Sequence, residues 1–335
     1  MACLPGHNIA DHIMALSQKI THEDATAKGM YMTLQASGDG SVKKSIEDVG
    51  EYSPSPGAGF TSQLWSLMRR EASSIARDKM SLFGRFGITI FLNLLFGCIF
   101  WEAGSTDNGN PTNFQNHFGA ITMVAISSMF GSAQPVMLGF PFERPMFMRE
   151  YSTGTYSAAA YAIVKTLTDM PLSLAQCLVQ YAVVFPMIQF QGNFFLQVLA
   201  AWMLGIGASS IGMMVGCAVT DVKTVSEMAP VLFVPQLLFA GFFIATDSIP
   251  AFLRWAQYLC GIKYAMNLIL ISEFDPANPS CLTSDAAANA CAKALSTNDI
   301  DKADSWVYYL MLVAIFVVFR TIAVFLLVSK SKRFY

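Results

Sequence analysis

The sequence predicts an all-α polytopic membrane protein, and three observations support that fold class. Hydrophobic residues make up 54% of the 335 residues and charged residues only 13%, and the mean hydropathy is +0.45. Soluble globular proteins carry about 25% charged residues, so the composition excludes a soluble enzyme and a disordered chain. The net charge of -2 excludes a nucleic-acid binder, which needs a basic surface. The charged residues are also separated by apolar runs that are long enough to cross a bilayer.

Six of these apolar runs have the length of a transmembrane helix, which is about 20 residues. The predicted spans lie near residues 82–101, 118–140, 161–188, 194–219, 228–246 and 305–329. A further run, Tyr264–Ser272, is too short to cross, so it predicts a re-entrant or interfacial segment between spans five and six.

The distribution of Lys and Arg predicts the orientation. These residues are frequent before span one, absent from the loop between spans one and two, and frequent again after span six. Positive residues favour the cytoplasmic side, so we expect both termini to be cytoplasmic and the long loop 247–304 to be outside. Cys281 and Cys291 lie in that loop, where an oxidising compartment favours a disulfide. The alternative is two free thiols in a mobile loop.

The composition changes near residue 59. Residues 1–59 are polar and rich in Ser, Pro and Gly, which predicts a cytoplasmic linker, whereas residues 60–335 form the predicted transmembrane domain. Within Phe60–Arg77 the apolar residues follow helical spacing, which predicts an amphipathic helix before span one. Two interpretations remain open, a helix lying on the inner leaflet and a cytoplasmic helix that packs on its own protein.

Span four carries small residues at close intervals, which allows another helix to approach it closely. These residues are Gly205, Ala208, Ser209, Gly212 and Gly216. We expect the neighbouring helix to belong to the same chain, and a second chain is the alternative.

Charged residues in the spans are costly and informative. Arg320 lies in span six, and we expect its long side chain to reach toward the inner face. The alternative is a buried ion pair with an acid on a neighbouring span. Lys165 and Asp169 are four residues apart at the start of span three, which predicts an ion pair along one helix.

The sequence shows no pattern of a catalytic site. It contains no Gly-x-x-x-x-Gly-Lys-Ser/Thr phosphate loop, no dinucleotide-binding glycine motif and no cluster of metal ligands. We therefore expect no enzyme activity, metal or cofactor in this chain.

One segment resembles a known family. Residues 140–156, Phe-Pro-Phe-Glu-Arg-Pro-Met-Phe-Met-Arg-Glu-Tyr-Ser-Thr-Gly-Thr-Tyr, resemble the loop after the second span in the G (White) subfamily of ABC transporters, and in particular its half-size members. Further similar segments, in chain order, are Phe114–Gly119, Ser128–Ser132, Pro235–Phe243, Ile249–Tyr258 and Glu273–Phe274. Cys3–Asp11 is similar to the segment that closes the nucleotide-binding domain in that family, except that Ile9 replaces the usual proline.

The resemblance implies the transmembrane permease half of an ATP-driven exporter. Such proteins move lipids, sterols or amphipathic small molecules by alternating access, in which the cavity opens to each side in turn. It implies a homodimer or heterodimer with another half-transporter, a nucleotide-binding domain that holds ATP and Mg²⁺, contact with membrane lipids, and a plasma-membrane location.

The resemblance also assigns roles to individual residues. The substrate cavity would be lined by Met123, Ser127 and Phe130 on span two and by Val234, Leu237 and Leu238 on span five. Phe242 and Phe243 would form an outer gate, where relatives often carry leucines. Coupling to the nucleotide-binding domain would use Glu143, Arg144, Arg149, Glu150 and Tyr151. Helical periodicity alone favours simple packing for Phe130, Phe242 and Phe243.

The family's nucleotide-binding domain normally precedes the membrane domain, and none is recognised in this sequence. Three explanations are open: the sequence is part of a longer chain, a separate subunit supplies ATP hydrolysis, or the motor has been lost. In the last case the chain would be a motor-less regulatory subunit of a complete half-transporter. A channel is disfavoured because span four carries no Lys or Arg that could sense voltage and no Thr-Val-Gly-Tyr-Gly filter is present.

Overall fold

The computed structural model describes residues 59–106, 110–152, 155–219, 221–238, 251–297, 300 and 302–331, all within one compact unit, Ala58–Tyr335. Regular structure in these ranges is helical throughout, which confirms the all-α class. The α-helices are α1 (Phe60–Arg77), α2 (Lys79–Ile99), α3 (Pro111–Ser152), α4 (Ala158–Ile188), α5 (Phe194–Ala218), α6 (Val222–Leu238), α7 (Gly261–Glu273), α8 (Pro279–Leu282), α9 (Asp285–Thr297) and α10 (Ser305–Ser331). Two 3-10 helices, Ala251–Leu259 and Lys302–Asp304, complete the described elements.

Among the described helices, α2, α3, α4, α5 and α10 are long and apolar enough to cross a membrane. They correspond to predicted spans one to four and six. Predicted span five, 228–246, is described only in part, because α6 covers Val222–Leu238 and the positions after it are not described. A sixth crossing therefore stays a prediction.

Helix α3 is much longer than predicted. The sequence predicts a loop after residue 140, but the helix runs without interruption from Pro111 to Ser152, so that prediction was wrong. Pro135, Pro141 and Pro145 lie inside the helix, where each proline removes a backbone hydrogen bond and ordinarily bends or ends a helix. The helix continues because Phe140 and Phe147 are buried in a hydrophobic cluster with α1, α4, α5 and α10, and tertiary packing overrides local propensity.

Helices α3 and α5 pack closely because glycines face the contact. A Cβ atom added to Gly212 would lie 2.8 Å from the Ala133 carbonyl oxygen, and one added to Gly216 would lie 2.9 Å from Phe140 Cβ. Both distances are too short for a side chain. The small-residue face of span four thus contacts a helix of the same chain, as expected.

Helix α1 has the predicted bounds, Phe60–Arg77, and its Leu67 side chain is buried in the same hydrophobic cluster as Phe147 and Tyr161. It therefore packs on its own protein, which was one of the two interpretations left open. Trp65 remains exposed on its opposite side, and Phe60 is exposed at its N-terminal end.

The segment that follows α6 is largely helical where it is described. Helix α7 has 13 residues and is buried almost throughout, and at 1.5 Å per residue it spans only about 20 Å. It is too short to cross a bilayer, and its re-entry into the membrane stays a prediction. Helices α8 and α9 are joined by a disulfide between Cys281 and Cys291, whose Cα atoms lie 6.1 Å apart.

The contact between α3 and α5 gives the first prediction. Gly212→Ala would place a methyl group against the Ala133 carbonyl oxygen, so the helices would have to separate and lose dispersion contacts along the interface. We expect the melting temperature of the detergent-purified protein to fall by several degrees. Gly207→Ala on the same helix is the control, because its added Cβ lies 3.9 Å from the nearest atom, Ile315 Cγ2. Equal melting temperatures for the two variants would contradict this account of the interface.

Candidate functional site

The C-terminal end of α3 meets α1 and α4 in a cluster of ion pairs, which we call the junction. Its members are Arg70, Glu71, Glu143, Phe147, Glu150, Tyr156, Tyr161 and Lys165. Arg70 Nη1 donates to both carboxylate oxygens of Glu150, at 2.7 and 2.8 Å, and the Tyr156 hydroxyl donates to Glu150 at 2.6 Å. Glu150 on α3 is thereby tied to α1 and to the segment that precedes α4.

A second set of ion pairs in the junction centres on Lys165 of α4. Its Nζ lies 2.5 Å from Glu143 Oε2 and also pairs with Glu71 of α1. The Tyr161 hydroxyl donates to Glu143 at 3.2 Å. One ammonium group therefore links α1, α3 and α4.

Aromatic rings fill the space between these ion pairs. Phe147 is buried, with its ring centroid 4.7 Å from that of Tyr161 and 6.2 Å from that of Tyr156. Burial raises the pKa of the Tyr156 hydroxyl well above its usual value, and the hydrogen bond to Glu150 raises it further. The hydroxyl therefore keeps its proton and remains a hydrogen-bond donor at neutral pH.

Two expectations about charged residues were wrong. Lys165 pairs with Glu71 and Glu143 and not with Asp169. Asp169 pairs instead with Arg320, whose Nη2 lies 3.3 Å from its carboxylate, while Arg320 Nε donates to Thr166 at 2.7 Å. Arg320 thus forms a buried pair with an acid on a neighbouring helix, which is the alternative that the sequence left open, because a charge in an apolar interior is stabilised by an opposite charge.

Of the five proposed coupling residues, three belong to the junction or stack on it, and the two arginines do not. Glu143 and Glu150 belong to the junction, and Tyr151 stacks on Phe147 with ring centroids 5.6 Å apart. Arg149 is exposed. Arg144 is not a member of the junction. It is only 6% exposed, and its buried Nη1 has no hydrogen-bond partner in the part of the chain that the structure describes.

The proposed cavity residues lie on two adjacent helices. Met123, Ser127 and Phe130 are half-buried on α3, and the Phe130 ring lies 5.3 Å from that of Phe233 on α6. Leu237 packs against the hydrophobic core. Val234 and Leu238 are 47% and 42% exposed in the single chain. The two proposed gate residues, Phe242 and Phe243, lie outside the described residues.

Polar residues link α2, α3 and α4, and sequence reasoning missed them. Arg85 Nε donates to the Gln176 side-chain oxygen at 2.6 Å, and the Gln176 amide donates to Thr89 at 2.9 Å. Asn93 donates to Ser127 at 3.3 Å. The signal was available, because Arg85, Thr89 and Asn93 are four residues apart and so lie on one face of a helix.

The opposite end of α3 carries a buried carboxylate that was also missed. Glu273, at the end of α7, is fully buried. It accepts hydrogen bonds from the backbone N–H groups of Gln191 and Gly192 at 2.8 Å and from Gln197 Nε2 at 2.7 Å, and His117 Nε2 lies 2.9 Å from it. This carboxylate connects α3, the turn between α4 and α5, and α7.

Residues 62–274, more than half of the chain, match the family described as "ABC-2 type transporter". The chain belongs to that family, as a transmembrane domain. An ABC-2 type transmembrane domain has the role of a transport permease, so the chain is an integral membrane protein of a transporter.

Curated relatives confirm the resemblance to White and other G-subfamily transporters. "Protein white" of Drosophila melanogaster is 28% identical over 281 residues, covering 82% of this chain and 40% of the relative. "Broad substrate specificity ATP-binding cassette transporter ABCG2" of Bos taurus is 23% identical over 286 residues, covering 82% and 43%. "ABC transporter G family member 7" of Arabidopsis thaliana is 27% identical over 222 residues, covering 64% and 30%. The chain thus spans less than half the length of these relatives.

The buried Glu273 carboxylate gives the second prediction. Glu273→Ala leaves the Gln191 and Gly192 backbone N–H groups and the Gln197 amide without this acceptor, and each buried donor left unsatisfied costs about 1–3 kcal/mol. We expect a large fall in melting temperature. Asp275→Ala, two residues away, is the control, because Asp275 pairs with the exposed Lys302 and such pairs contribute about 0–1 kcal/mol. The account of Glu273 would be wrong if both variants melted at the same temperature.

Proposed function

We propose that this chain is the transmembrane permease half of an ATP-driven exporter of lipids, sterols or amphipathic small molecules, working as a dimer by alternating access. The observation that carries the proposal is the continuity of α3. One helix holds both the proposed cavity face, with Met123, Ser127 and Phe130, and the junction residues Glu143 and Glu150.

A continuous helix can carry motion between these two groups. The 42 residues of α3 span about 63 Å at 1.5 Å per residue. Displacement of the junction would therefore move the cavity face, with bending concentrated at Pro135, Pro141 and Pro145, where backbone hydrogen bonds are missing. In this proposal the junction is on the cytoplasmic side and receives force from a nucleotide-binding domain that holds ATP and Mg²⁺.

The chemistry of the proposed cavity suits an apolar or amphipathic substrate. Its side chains are Met, Phe, Val and Leu with the single hydroxyl of Ser127, and pockets for such ligands are mostly apolar with few polar groups. Val234 and Leu238 are exposed in the single chain. A second half-transporter would cover them and close the cavity on the dimer axis. We also propose a plasma-membrane location.

The junction gives the third prediction, which tests the proposed function. The chain would be joined to the nucleotide-binding domain of a White-type relative, and ATP-dependent movement of a fluorescent phospholipid would be measured in proteoliposomes. Arg70→Glu or Glu150→Arg alone places like charges together, so we expect each to reduce transport strongly. The double variant restores the opposite charges and should recover much of the rate.

The control for this experiment is a charge reversal in an exposed ion pair at the other end of the molecule. Asp275→Lys disrupts the exposed contact with Lys302 and should leave transport unchanged. Wild-type rates in both single junction variants would contradict the proposed coupling. ATP-independent ion current would favour a channel instead. Suppression of an intact half-transporter, without transport by the joined chain, would favour a regulatory subunit.

The exposed face of α6 gives the fourth prediction. Val234→Trp would narrow a cavity on the dimer axis, so we expect slower phospholipid transport in the same assay. Leu95→Trp on α2 is the matched control, because Leu95 is 46% exposed and Val234 is 47% exposed, and α2 would face lipid. The proposed cavity lining would be wrong if both variants reduced transport equally or neither did.

A further inference from the structure

A cavity of about 250 Å³ lies among α1, the start of α2, the second half of α3 and the start of α4. This volume is smaller than the roughly 300–1,000 Å³ of pockets that enclose a whole drug-sized ligand. It is large enough for several water molecules or one polar headgroup, since a water molecule takes about 30 Å³ of liquid. Seven of the eight junction residues, all except Glu150, line the cavity, whereas the proposed substrate-cavity residues Met123, Ser127 and Phe130 do not.

The cations that line this cavity differ in their partners. Arg70 and Lys165 form ion pairs with glutamates. Arg85 hydrogen-bonds through Nε to the neutral amide of Gln176, and within the described residues no carboxylate is in ion-pair contact with its guanidinium. Within the described residues Arg85 thus brings to the cavity wall a positive charge with no direct ion-pair partner, on which Asp169 acts only at longer range, and its planar guanidinium suits a phosphate.

Asp78 lines the same cavity and has the opposite charge. Its carboxylate caps α2 by accepting a hydrogen bond from the backbone N–H of Ser81 at 3.1 Å, and the described part of the chain places no Lys, Arg or His in ion-pair contact with it. Phe147, Tyr156 and Tyr161 also line the cavity, and aromatic faces attract ammonium groups. The wall thus offers one site for an anion and another for a cation.

The exposed apolar surface of α2 favours a membrane lipid as the ligand, since a lipid headgroup can carry both an anionic phosphate and a cationic ammonium group. Met80, Phe83 and Ile88 are large apolar side chains on the outer surface of α2, and all three are exposed. Arg85 lies on another face of the same helix, toward α4, and lines the cavity together with Asp78 and Ser81 near the start of α2. Apolar chains of a bound lipid can lie along this surface while its headgroup enters the cavity.

We propose that this cavity binds the headgroup of a zwitterionic phospholipid, with the phosphate on Arg85 and the ammonium near Asp78 and the aromatic rings. The lipid is a bound component of the structure and is distinct from a transported substrate. The proposal does not rest on the proposed function, because its test needs no nucleotide and no transport.

The test measures lipid bound to the detergent-purified chain by native mass spectrometry during titration with short-chain phosphatidylcholine. We expect saturation at one lipid per chain. Ser74→Trp fills the cavity without changing Arg85 and should weaken binding by about tenfold or more, the effect of losing one charge-assisted hydrogen bond. Ser73→Trp is the matched control, because Ser73 is the adjacent residue of α1 and does not line this cavity. Its affinity should match wild type.

Two further arms identify the headgroup. Arg85→Gln removes the cation and should weaken binding at least as much as Ser74→Trp, with melting temperatures checking that both variants fold. Equal affinity of Ser74→Trp and wild type would overturn the proposal. Displacement of the lipid by millimolar inorganic phosphate would overturn it in favour of a free-anion site. Tighter binding of phosphatidylglycerol than of phosphatidylcholine would overturn the placement of the ammonium near Asp78.

Discussion

The close packing of α3 on α5 is the contact on which the rest of the structure depends. Two helices in a bilayer gain little from the hydrophobic effect, so they associate through dispersion and close approach. Gly212 and Gly216 allow that approach, because a side chain at either position would meet Ala133 or Phe140 of α3. With α3 held along α5, its two ends are fixed beside two different sets of polar residues.

Those polar sets hold α3 at both ends. At the N-terminal end, His117 lies against the buried Glu273, which also binds the turn between α4 and α5. At the C-terminal end, Glu143 and Glu150 bind Lys165 and Arg70. Pro135 and Pro141 between the two sets, and Pro145 within the C-terminal set, weaken the backbone hydrogen bonding of the helix. When the junction is displaced, a helix anchored in this way carries the movement along its length, with bending at its prolines. This is the mechanical basis of the proposed coupling.

The sequence predicted the features that depend on local composition. Charge-free runs located the five described spans, and helical spacing located α1 at its observed bounds. Features that depend on tertiary contact were harder to predict. The sequence offered a buried pair for Arg320 only as an alternative and did not identify Asp169, which is 151 residues away. It also did not predict that α3 continues through three prolines, where Phe140 and Phe147 are buried. The proposed gate, cavity and coupling roles came from resemblance, and they remain proposals.

The central claim is that α3 carries motion from the junction to its far end. Pulsed electron paramagnetic resonance can test it on dimers of the chain joined to a nucleotide-binding domain, with Cys3 and Cys98 replaced by Ser. Spin labels at Met146→Cys and Gln115→Cys would report distances between the two copies near each end of α3. We predict that ATP with vanadate shifts both distances, and that Glu150→Ala abolishes the shift at position 115. An unchanged shift at position 115 in Glu150→Ala would contradict the claim.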